Sequence, residues 1–200
     1  LIFLVLVCLI SFQGCGTKQS SELKPGYDKA ELTMLLPVME RTYDSSDIGG
    51  FKTPEPKNIK RVFRSKVSPL MNRFDVWLTE DKKAVLSIRG SIVDTAALSF
   101  TAAFYVPMVS AIGKIKISDT KTFEYKVAEL KDAGVHLGML LALGHISDEL
   151  LEQIKKQYAD GIRDFIVLGH SQGSGIGFLA TSYIRYLQKD GKLPADFRVK

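Results

Sequence analysis

Residues 166–173 read Ile-Val-Leu-Gly-His-Ser-Gln-Gly, a short apolar run that breaks into Gly169-x-Ser171-x-Gly173. Glycines two positions to either side of a serine let a strand turn sharply into a helix, with the serine held at the apex. Phe165–Leu168 is continuously apolar and bounded by charge and by glycine, as in a buried parallel strand. Beyond the motif, Ile176, Leu179, Ala180, Tyr183, Ile184 and Leu187 recur at helical spacing, and Gly191 and Pro194 supply a stop. Strand, bend and helix thus follow in the order that presents a hydroxyl at an exposed tip. The plainer reading is a glycine-rich turn in which Ser171 only caps the helix. Two rival motifs fail: Phe178 stands where a dinucleotide fingerprint needs glycine or alanine, and no Gly-Lys-Ser/Thr exists for a phosphate loop.

The rest of the chain reads as an α/β domain. Strand-like segments are expected at Val62–Val67, Phe74–Leu78 and Ala84–Arg89, joined by short polar turns. A helix is expected over Ala30–Met39 on Leu32, Leu35, Leu36 and Met39, disturbed by Pro37 near its end. Ser147-Asp148-Glu149 looks like the cap of a second helix, and residues 44–60 like a loop rich in Ser, Gly and Pro. Strands first, then helix, strand, bend and helix imply a central, largely parallel sheet flanked by helices. With 46% hydrophobic and 24% charged residues this is ordinary globular composition. The net charge of +5 comes with lysines and arginines interspersed among acids, so nucleic-acid binding is not indicated.

Leu1–Ile10 is uninterrupted apolar sequence, too short at about 1.5 Å per residue to span a bilayer. With Gly14 at the cleavage position it reads as a secretory signal. Cys15 directly after that small residue resembles the lipobox of bacterial lipoproteins, although Phe12 and Gln13 depart from the usual pattern. Cys8 lies in the apolar run and no third cysteine exists, so a mature chain has one thiol, an anchor, and no disulfide. Residues 1–14 are therefore read as a lipoprotein-type signal, 15–26 as a polar tether and 27–200 as the folded domain. The implied location is the cell envelope, membrane-anchored through a lipidated Cys15. No methionine or basic segment precedes Leu1, which predicts a chain truncated at this end and, by extension, at both.

A serine that attacks acyl carbonyls also needs donors for the oxyanion, each worth about 2.7–4 kcal/mol. The backbone N–H of Gln172, directly after Ser171, is one. The strand Ala84–Arg89 stops at Gly90-Ser91, where an earlier core strand usually supplies the other. Taken together, Phe74-Asp75-Val76-Trp77-Leu78, Leu86-Ser87-Ile88-Arg89-Gly90-Ser91, Val135-His136-Leu137-Gly138 and Gly169-His170-Ser171-Gln172-Gly173 resemble the class 3, fungal-type lipases in order and spacing. The resemblance covers roughly residues 60–200. It implies an α/β-hydrolase fold and hydrolysis of carboxylic esters, typically acylglycerols; no His-x-x-x-His pair exists, so no metal is expected, nor a cofactor. It further implies Ser171 as nucleophile, Gly169 and Gly173 as the nucleophile elbow, and an oxyanion hole made by Ser91, through its backbone N–H and hydroxyl, with the N–H of Gln172. The family often has Gly where this chain has Ser174. The apolar segment Ile92–Tyr105 is read equally as a lid over a lipid site or as an ordinary buried helix.

The expected partners of the serine are missing. Hydrolases of this fold supply them in the order Ser, acid, His, yet no histidine follows Ser171. Asp190 and Asp196 fall near a helix end, His136 is read as structural, and His170 is directed away from the hydroxyl. The complete protein is expected to hydrolyse esters and these 200 residues alone are not. The alternatives are a non-catalytic, lipid-anchored binding protein on the same scaffold, or a thioesterase or acyltransferase using the same serine.

Overall fold

Connection length decides strand direction at one end of the sheet. β1 (Ile59–Arg64), β2 (Phe74–Thr79) and β3 (Lys83–Ile88) are joined by turns too short for a crossover, so they pair antiparallel, Val76 opposite Leu86 and Trp77 opposite Val85. The β2–β3 turn carries Lys82 at φ 61°, and the Thr79 hydroxyl accepts the Lys83 N–H at 2.9 Å. The computed structural model describes residues 23–43, 54–92, 105–130 and 132–200. Cys15, the signal, most of the tether and residues 93–104 of the lid expectation lie outside these residues.

From β3 the chain passes through four short strand segments and a long helix before returning as β8 (Asp164–Gly169), parallel to β3. β4 (Met108–Ser110) pairs with β7 (Gly134–His136), and β5 (Ile112–Lys116) with β6 (Thr122–Lys126), both outside the main sheet. β9 (Arg198–Val199) adds a second parallel edge, giving the order β1-β2-β3-β8-β9. The sheet is therefore mixed rather than largely parallel, with two antiparallel and two parallel pairings.

Side-chain alternation along β3 sorts the two cores. Ala84, Leu86 and Ile88 face α2 (Leu137–Ala159) and α3 (Gln172–Lys189), packing with Phe74, Phe165, Leu140, Leu143, Ile176 and Ile184. Val85, with Trp77 and Ile166, faces α1 (Lys29–Tyr43) through Leu35 and Val38. Asp28 starts α1 by accepting the Ala30 and Glu31 N–H groups at 2.8 and 3.1 Å, which holds its carboxyl below the usual range.

Three local expectations change. The buried stripe of α1 is Leu35, Val38 and Thr42, with Leu32 and Leu36 exposed, and the helix runs past Pro37 because its later residues are pinned to the sheet. β1 begins at Ile59 rather than Val62. Ser147 does not cap α2: it lies in mid-helix and donates to the Gly144 carbonyl at 3.0 Å. His136 is the cap, its Nδ1 accepting the Met139 N–H at 3.4 Å.

Candidate active site

β8 ends at Gly169 and α3 begins at Gln172, so Ser171 takes the whole turn with φ 55° and ψ −128°. Side-chained residues rarely adopt such a backbone, and holding it costs about 1–3 kcal/mol. Ser171 is exposed and makes no side-chain capping bond to α3, which removes the plain cap reading. The first helical turn is instead closed by main-chain bonds from Gly173 to the His170 carbonyl (2.9 Å) and from Ser174 to the Ser171 carbonyl (3.0 Å). Ser174 adds its hydroxyl to the same carbonyl at 2.6 Å.

Three glycines make the bend possible. A Cβ on Gly169 would lie 2.7 Å from the Ser174 nitrogen and run into the carbonyl of Gly173. One on Gly173 would lie 2.8 Å from the Gly90 nitrogen and 3.0 Å from the Arg89 carbonyl carbon. One on Gly90 would meet the Gly173 nitrogen at 3.1 Å and the Tyr43 hydroxyl at 2.6 Å. The end of β3 is thus pressed main chain to main chain against the bend, which brings Ser91 beside Gln172.

That proximity is recorded directly: the Ser91 hydroxyl donates to Gln172 Oε1 at 3.1 Å, and Asn72 Nδ2 donates to the same oxygen at 3.2 Å. Gln172 is the first residue of α3, where backbone N–H groups lack an intrahelical acceptor. Tyr43, the last residue of α1, accepts the Gly90 N–H on its hydroxyl at 2.9 Å and lies 3.4 Å from both Nδ1 and the carbonyl of His170. Burial pushes its phenol up, against the opposing pull of the Gly90 N–H. Tyr43 and Asn72 both escape a reading of the motifs, because their partners lie 127 and 100 residues away.

Of the sequence-predicted residues, Gly169, Ser171, Gln172, Gly173 and Ser91 come together; Cys15 lies outside the described residues. Among the described residues none of the three histidines hydrogen-bonds Ser171. His136 caps α2, His145 sits within α2 near Lys121, and His170 turns to Tyr43. Asp190 ends α3, about 28 Å along the helix from Ser171. Asp196 accepts from the Tyr158 hydroxyl at 2.7 Å and pairs with Arg163. Among the described residues no three His, Cys, Asp or Glu side chains are placed to hold a metal ion.

No family model matches the chain, and no curated protein matches it. Solved structures do. The triacylglyceride lipase of Rhizomucor miehei superposes with a TM-score of 0.58 at 17% identity, over 85% of this chain and 59% of its own. The lipase of Rhizopus microsporus var. chinensis gives 0.55 at 18%, over 85% and 55%. Lipase II from Rhizopus niveus gives 0.55 at 18%, over 85% and 60%. The likeness is one of fold, that of these α/β lipases, and the chain spans under two thirds of their length.

Proposed function

We propose that the complete protein is a serine hydrolase of carboxylic esters, of the acylglycerol lipase or esterase kind. The single observation that carries this is Ser171, held strained and exposed between β8 and α3 with Ser91 and Gln172 joined beside it. A binding scaffold gains nothing from backbone strain at one serine; a nucleophile gains exposure and a fixed line of attack. The fold it shares with structures called triacylglyceride lipases supports the substrate class.

In this reading the Ser171 Oγ adds to the ester carbonyl while its proton passes to a base. The oxyanion is met by the N–H groups of Gln172 and Ser91. Collapse expels the alcohol and leaves an acyl-enzyme on Ser171, and water then releases the acid by the reverse route. The base and its acid partner are not among the described residues that bond Ser171. A lipid anchor on Cys15 and a place in the cell envelope belong to the same proposal, supported by the apolar segment that precedes that residue.

One observation favours a second reading. His136 and His170 are both engaged elsewhere, as a non-catalytic binding protein on this scaffold would allow. A serine-directed fluorophosphonate separates the two. The full-length protein is expected to gain one adduct on Ser171, absent in Ser171→Ala, and to hydrolyse p-nitrophenyl butyrate. A folded full-length protein that neither labels nor turns over would leave the binding reading. A thioesterase or acyltransferase would label alike and be told apart by preference for thioesters or for transfer to an alcohol over water.

A further inference from the structure

The β1–β2 connection reaches the elbow through one buried amide. Asn72 is fully buried and its Nδ2 faces two oxygens, Arg89 O at 3.4 Å and Gln172 Oε1 at 3.2 Å. Its own loop holds it there: the Asn72 N–H donates to Ser68 Oγ (3.1 Å), and the Ser68 N–H donates to the Asn72 carbonyl (2.7 Å). Met71, at φ 61°, turns the chain so that its carbonyl accepts from the Arg89 guanidinium at 2.6 Å. The loop is therefore tied to the same stretch of main chain that leads into Gly90-Ser91.

The polarity of the three side chains follows from one atom. A backbone carbonyl can only accept, so Arg89 O requires the Asn72 amide to present nitrogen. Turning that amide over would set Oδ1 against the Arg89 carbonyl and also against Gln172 Oε1. With Asn72 donating, the Gln172 atom it meets must be oxygen. That oxygen can in turn only accept from Ser91, so the hydroxyl proton of Ser91 points at Gln172. A hydroxyl has a single proton, and one committed to Gln172 is not aimed at an oxyanion beside Ser171.

The geometry points to Asn72 as a positioning residue: through the Gln172 side chain it sets the direction in which the Ser91 hydroxyl donates, and so fixes the resting state of the oxyanion donors. This rests on the hydrolase reading for its catalytic consequence, but the relay itself does not need turnover. Asn72 touches no reacting atom. It acts on Gln172, whose backbone N–H is an oxyanion donor, and on Ser91, the other.

A double-mutant cycle in the full-length protein tests it, with p-nitrophenyl butyrate as substrate. Asn72→Ala releases the Gln172 side chain and so loosens the residue whose backbone N–H meets the oxyanion; it is expected to lower kcat about fivefold with KM unmoved, the scale of one ordinary hydrogen bond. In a Gln172→Met background, which keeps the backbone N–H and loses the amide, the same change is expected to move kcat less than about twofold. An equal factor in both backgrounds would mean that Asn72 only packs, and overturns the proposal. The 15N-labelled protein gives the second readout, independent of catalysis. On Gln172→Met one Asn72 side-chain amide proton is expected to move upfield while its geminal partner, facing Arg89 O, holds its shift. If neither proton moves, or both do, the relay is wrong whatever the ester assay shows. If the amide shift behaves as expected but wild type and Ser171→Ala are equally inert, the relay stands and the hydrolase reading falls.

Discussion

Gly90 and Gly173 leave no room between them for a methyl group on either: a Cβ on Gly173 would sit 2.8 Å from the Gly90 nitrogen, and one on Gly90 3.1 Å from the Gly173 nitrogen. Both obstacles are main chain, which cannot swing aside as a side chain would. The end of β3, which leads into Ser91, and the first turn of α3, which follows Ser171, therefore meet main chain against main chain.

Gly173→Ala is accordingly predicted to cost about 1–3 kcal/mol, the range for overpacking a tight site, and to abolish fluorophosphonate labelling. Gly161, at φ 92° with open space around it, is the comparison. Its alanine variant should lose only the left-handed backbone penalty, about 1–2 kcal/mol, and keep labelling. Urea unfolding and labelling of both variants check this; equal labelling would show that the close approach does not matter.

Ser171→Gly should make the protein more stable while ending the fluorophosphonate labelling expected from the hydrolase reading. Removing the strain at φ 55° returns about 1–3 kcal/mol, offset by about 0.5–1 kcal/mol for glycine's freer unfolded chain. A net rise of about 1 kcal/mol is expected in denaturant. A drop in midpoint would mean that the serine side chain holds the bend, contrary to its lack of a capping bond.

Asp75 is completely buried in β2 and receives Arg64 on both oxygens, at 2.8 and 2.7 Å, with Arg61 at 3.6 Å. Arg64 also donates to the Arg41 carbonyl at 2.7 Å, so the pair holds down the end of α1. Asp75→Ala is predicted to destabilise by about 3 kcal/mol, the low end for a broken buried pair, because the part-buried Arg64 and Arg61 lose the carboxylate they share. Replacing Asp75 and Arg64 together with apolar residues should cost much less. Thermal melts of the three variants decide it, and a cost for the single variant below that of the double would refute the account.

His145 gives a pH dependence of known sign. Burial first, and the Lys121 ammonium second, hold its imidazole below the ordinary 6.5. The unfolded chain then binds more protons than the folded one as pH falls below about 6.5, so stability is lost on the acid side of that value. His145→Gln should flatten the slope of stability on the acid side of about pH 6.5, measured as urea midpoints at successive pH values. An unchanged slope would assign it to other groups.

How far the residues announced this arrangement depends on the range of the interactions involved. Strand, bend and helix over 164–189 were legible because the glycines, the apolar run and the helical stripe are all local signals. The direction of β1, β2 and β3 was not, since short apolar segments look alike in parallel and antiparallel sheets, and only the turn lengths distinguish them. The start of α2 was misplaced because Ser147-Asp148-Glu149 has the chemistry of a cap; the ten helical residues before it carry no equally strong marker beyond His136. Asn72 and Tyr43 were invisible for another reason. Nothing in a turn residue or a helix-ending tyrosine foretells a partner brought near by the sheet. The histidines are the reverse case, since residue order alone puts all three before Ser171 and the described residues place none against it.

The tyrosine that ends the first helix has a practical consequence for anyone trimming or fusing this protein. Because its phenol accepts the Gly90 N–H and lies 3.4 Å from the His170 carbonyl of the bend, residues 29–43 behave as a keystone, and a shortened form beginning after residue 43 would take the prop from behind Gly90 and Ser171.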